Sequence, residues 1–160
     1  MRQYALLLTC FLCACLSLSW AEENEDILAQ LVEEGKRNTV SISSELSAPA
    51  GAAKNWWLRG VNYLGACKIR GATAHLATLT FTEAASPNAK TPASPAIKQV
   101  VGFFDENFKL RGWWIWAFNT EHLKLSENRL MDQENTIVDF AQKEDIFIFK
   151  KHKFRIPVWK

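Results

Sequence analysis

The chain has 160 residues, 48% of them hydrophobic, with 19 lysines and arginines against 17 acids and a formal net charge of +2. This is one domain, long enough to bury a hydrophobic core without covalent staples. The near balance of charge excludes the basic footprint of a nucleic-acid-binding protein.

Taken in order, the chain opens on a leader. Arg2 is a minimal positive region, Tyr4 to Leu18 is almost wholly apolar, and Ser19-Trp20-Ala21 precedes the acidic run Glu22-Glu23-Asn24-Glu25-Asp26. Small residues at −3 and −1 complete a secretory signal peptide over 1–21, with a mature start at Glu22. About 15 apolar residues are short for a span, which needs roughly 20, so no transmembrane segment is expected after processing. Leu12-Cys13-Ala14-Cys15 partly resembles the box ahead of the lipidated cysteine of bacterial lipoproteins. Lipidation of Cys15 and anchoring to a membrane is therefore the alternative to a secreted or periplasmic protein. Cys10, Cys13 and Cys15 all lie in the leader. The mature chain keeps only Cys67, which excludes an internal disulfide. Its default role is a small buried hydrophobe, and an intermolecular disulfide is the sharper reading.

Asn24 caps a short amphipathic helix with Ile27, Leu28, Leu31 and Val32 on one stripe, ending at Gly35-Lys36-Arg37. Residues 40–53 read as a connection, with a short strand at Thr39 to Ser43. Asn55 to Val61 and Ala66 to Gly71 read as separate strands. Ala72 to Thr82 is a Thr-rich alternating strand whose odd positions, His75 to Phe81, pack inward. Residues 84–96, with three prolines, form a long mobile loop within the single domain 22–160.

The centre of the chain is Ile97 to Asn119. Val100 to Phe104 and Phe108 to Phe118 are two apolar runs joined by Asp105-Glu106-Asn107, with Asn107 suited to the left-handed loop position. Period-two alternation puts Phe108, Leu110, Trp114, Trp116 and Phe118 on a core face, and Lys109, Arg111, Trp113, Ile115 and Ala117 on a partly wet one. A further hairpin over 123–131, a strand at Thr136 to Phe140 and an interrupted strand from Ile146 to Trp159 follow. Glu-Asn recurs at 106, 127 and 134, and [Leu/Ile]-Arg-Gly at 58, 69 and 110, as reused turn and strand chemistry.

Six tryptophans remain after the leader, and adjacent pairs such as Trp56-Trp57 and Trp113-Trp114 point to opposite faces of a strand. Trp113 beside Lys109 and Arg111 is the candidate exposed ring. It suits stacking on a sugar, a peptide or a second copy, unless the N-terminal helix covers it. Arg59, Arg70 and Arg111 each precede a glycine and would form an anion site if their strands were neighbours. His75, His122 and His152 stand alone, without the spacing of a metal site. No catalytic, phosphate-loop or dinucleotide motif is present, and no cofactor is expected.

These readings converge on an α+β domain: an N-terminal amphipathic helix packed on a curved antiparallel sheet of about six strands, with a small β-barrel as the alternative. The expected function is an exported, non-catalytic module whose aromatic sheet face holds an envelope or extracellular protein, a glycan or a small apolar ligand, with homo-oligomerisation open. The alternative is a small secreted or periplasmic enzyme with a pocket around His75 as acid or base.

Overall fold

The computed structural model describes residues 24–47, 55–84, 95–142 and 144–157. The leader with Cys15, and residues 85–94 of the Pro/Ala/Ser-rich loop, lie outside the described residues. Among the described residues, two helices are followed by nine antiparallel strands, so the α+β plan stands.

The first helix, α1, covers 24–37, and the second, α2, covers Thr39–Ser47. Helix α1 ends at Arg37, within the expected Gly35-Lys36-Arg37 terminus, and Gly35 faces the sheet: a Cβ there would meet Leu58 at 3.0 Å and Leu79 at 3.2 Å. It is a close-approach glycine. Residues 39–47 are helical where a strand and a connection were expected. Ile42 and Leu46, one turn apart, are fully buried, and that burial outweighs the β-branched bias of Thr39, Val40 and Ile42. The junction is tied locally, Asn38 Nδ2 donating to the Glu34 carbonyl at 2.9 Å and Thr39 Oγ1 to that of Gly35 at 3.0 Å.

The strands do not form one sheet of six. A four-stranded sheet, in the order β1-β2-β3-β4, comprises β1 (Trp56–Ile69), β2 (Ala72–Glu83), β3 (Ile97–Phe104) and β4 (Leu110–Trp116). A three-stranded sheet follows, β5 (Leu123–Ser126), β6 (Arg129–Asp132) and β7 (Asn135–Asp139), then a two-stranded one, β8 (Ile146–Phe149) and β9 (His152–Arg155). The two strands expected in 55–71 are a single 14-residue strand carrying two register shifts, at Leu58/Gly60 and Tyr63/Gly65.

The repeated tripeptide marks backbone irregularity each time. Leu58-Arg59-Gly60 is a bulge, and Arg70-Gly71 is the two-residue β1–β2 loop, both residues at positive φ as a tight hairpin requires. Leu110-Arg111-Gly112 is a second bulge, where Phe103 faces Gly112 and Phe104 faces Leu110 with Arg111 as the extra residue. This last bulge corrects the expected faces of the central hairpin. Leu110 and Phe108 pack with the helices, whereas Trp114 and Trp116 pack on the opposite side. The loop is also longer than expected. Asp105 Oδ1 accepts from the Asn107 and Lys109 amides at 2.9 and 3.0 Å, and Phe108, not Asn107, has a left-handed φ of 58°.

The four-stranded sheet is covered on both faces. On one, Leu31, Ile42 and Leu46 of the helices meet Ala77, Leu79, Phe81, Val100 and Phe104. On the other, Leu123, Leu130, Val138 and Phe140 from β5–β7 and its flank, with Phe154 from β9, meet Leu76, Val101, Phe103, Trp114 and Trp116. Ala74 and Leu76 are thus as buried as the odd positions of β2. Helices, sheet and the two smaller sheets make three layers.

Candidate functional site

The expected Trp113 platform is placed under the helical layer. Trp113 is half-buried against the helix-side core, and its Nε1 donates to Glu45 Oε2 of α2 at 2.8 Å. The covering helix is α2, a segment for which the sequence suggested no helix. Lys109 and Arg111 turn towards two carboxylates of low exposure. Arg111 Nε lies 2.7 Å from Asp105 Oδ2, and Lys109 Nζ lies 3.7 Å from Glu34 Oε2. Glu34 also accepts from Arg37 at 2.7 Å and from the Leu110 amide at 3.2 Å, which fixes the hairpin loop to α1. Burial pushes the Asp105 carboxyl up, but the Lys109 amide, the Arg111 guanidinium and the Asn107 amide outweigh it and hold the group below its ordinary range.

Of the three arginines, the structure brings two together. Arg70, at the β1–β2 turn, and Arg111 line one cleft of about 230 Å³ with Thr73, Asp105 and Asn107. Each already holds an acid, Arg70 pairing with Asp145 and Arg111 with Asp105, so the cleft is charge-compensated. Arg59 is remote. It sits at the bulge near the other end of β1, about 35 Å away along the strand.

His75 is half-buried on the helix side. Its Nδ1 lies 2.9 Å from the Tyr63 hydroxyl and its ring 4.4 Å from that of Phe108. Burial lowers its pKa, with the Asp105 charge opposing. Tyrosine and phenylalanine, rather than a carboxylate, are the contacts that surround the ring. Cys67 is buried, and burial pushes its thiol up to about 12, which suppresses the thiolate. Among the described residues, no group of three or more His, Cys, Asp or Glu is placed to hold a metal, and no helix is long and apolar enough to cross a membrane.

One aromatic residue was missed. Trp57 is 63% exposed, on the sheet face opposite Trp56, which is buried. It stands opposite Thr82, which stands opposite Ile97, itself 54% exposed, so a row crosses three strands where the smaller sheets do not reach. Arg59, two residues further along β1, is exposed, with no ion-pair partner among the described residues. The signal was the Trp56-Trp57 pair itself, since only one of two neighbours on a strand can enter a given core. Comparison with protein-family models, with curated proteins and with solved structures finds no match for this chain.

Proposed function

We propose that the protein is an exported, non-catalytic binding module that holds its partner on the sheet face at Trp57. The observation that carries this reading is the exposure of Trp57 and Ile97 on either side of the half-buried Thr82, in a fold that buries its other sheet tryptophans wholly or in part. An indole offers a large, rigid, apolar surface at low entropic cost, and the exposed Arg59, two residues along the strand, offers donors and charge. That combination suits an extracellular or envelope protein, the face of a sugar ring or a small apolar ligand. Export rests on the leader, with cleavage after Ala21. Anchoring through lipidated Cys15 is the alternative, and the intact mass of the purified protein separates the two.

Ligands selected by the wild type from a glycan array and a random-peptide library test the site. They should bind the Trp57→Ala variant at least tenfold more weakly and Trp113→Phe unchanged. In acrylamide quenching, the readily quenched emission should disappear in Trp57→Ala only. Selected ligands that bind Trp57→Ala as well as wild type would overturn the proposal.

A further inference from the structure

A second feature, independent of the Trp57 row, lies between the two smaller sheets. Among the described residues, β7 is the outer strand of its sheet, and β8 pairs only with β9. The two strands are neighbours without being hydrogen-bonded to each other, and a groove of about 470 Å³ separates their edges. β8 has an unbroken register with β9, so the N–H and C=O groups of Ile146 and Ile148 point to its far edge, where no strand lies opposite among the described residues. Ile146 and Ile148 are exposed along it, Ile148 at 71%. A regular, apolar, unprotected edge is a template for another strand. The β1 edge, by contrast, is tied at Lys68, whose amide donates to the Asn128 side chain at 2.8 Å.

The charge in the groove selects the occupant. Its charged lining residues are Asp139 and Glu144, with no cation among the described residues that line it. β7 shapes the opposite wall. The register shift at Leu130/Met131 leaves Ile137 as an extra residue, and Ile137 and Val138 are both buried. We infer that an extended peptide segment of alternating apolar and basic side chains adds as a strand to the open edge of β8, between β8 and β7. Its main chain would complete the β8 ladder, while its lysines or arginines face Asp139 and Glu144. Backbone pairing supplies affinity in such an addition, and alternate side chains supply selectivity.

The probe is a capped octapeptide of alternating valine and lysine, added to the purified protein. Two control peptides are used, one N-methylated on alternate residues and one with glutamate in place of lysine. Amide exchange at Ile146 and Ile148 should slow at least tenfold on peptide addition, with 56–62 of β1 unchanged. Both controls should bind at least tenfold more weakly, and the Glu144→Gln variant should bind the lysine peptide several-fold more weakly. Equal binding of the N-methylated peptide, or protection that maps to β1 instead of β8, would overturn the assignment. So would protection at β8 that grows with protein concentration in the absence of peptide, since a second copy would then be the occupant.

Discussion

Replacing Asp105 with alanine removes the hub of the central hairpin loop. Its carboxylate accepts from the Asn107 amide at 2.9 Å, the Lys109 amide at 3.0 Å and Arg111 Nε at 2.7 Å. The two amides resemble a helix cap, and losing each is worth about 0.5–2 kcal/mol, centred near 1. The Arg111 pair adds less. That side chain is half exposed, and such pairs contribute roughly 0–1 kcal/mol. The expected loss is therefore about 1–5 kcal/mol, centred near 2.5, a large share of the roughly 5–15 kcal/mol that holds a domain folded. Urea unfolding followed by fluorescence reads it.

Acid supplies the second arm of that experiment. The folded Asp105 carboxyl titrates below its ordinary 3.8. Its contribution is therefore complete above the unfolded value and is lost as pH falls through the folded one. The gap between wild type and Asp105→Ala should be constant near neutrality and close in strong acid. A gap under about 0.5 kcal/mol, the scatter of ordinary surface substitutions, would refute the hub reasoning. So would a gap that acid leaves unchanged.

Gly112→Ala should cost about 1–3 kcal/mol by overpacking, because the new Cβ would stand 2.7 Å from Pro157 Cβ and Cγ. Pro157→Ala should recover part of that loss in a double-mutant cycle of urea midpoints. His75 should titrate below 6.5 by NMR, burial being the main cause. Its contribution is present above the unfolded value and lost as pH falls through the folded one, so acidification should destabilise wild type more than His75→Gln. Cys67 should resist a thiol reagent in the native protein and react rapidly once urea unfolds it, its thiol being held up at about 12 by burial.

Turn chemistry was the most legible part of the sequence. Each Glu-Asn pair does lie at a strand connection, and Glu127 and Gln133 supply the left-handed residues at two of them. The Lys150-Lys151 interruption is likewise a two-residue hairpin loop at positive φ. What alternation cannot show is a bulge. Arg111 and Arg59 each add one residue to a strand, and every position beyond changes face. That is why Leu110 and Trp114, assigned to one face by period two, serve different cores. Nor does local propensity show burial on both sides. Val100 to Phe104 is an unbroken apolar run because helices cover one face of β3 and the smaller sheets cover the other. For the candidate site, the residue types were legible but their neighbours were not. Lys109 and Arg111 read as free donors until the fold brings Glu34 and Asp105 to them.

The three layers also fix an order of dependence during synthesis. The helices and the four-stranded sheet are encoded first, so one sheet face can be covered as soon as β4 has emerged. The other face must wait. Val101, Phe103, Trp114 and Trp116 acquire their cover only when Leu123 to Ile156 has been made. A nascent or truncated chain ending near Phe118 would carry those rings uncovered on a paired sheet, a sticky surface of the kind chaperones shield. The last third of the chain thus acts as the lid that makes the middle third safe in water.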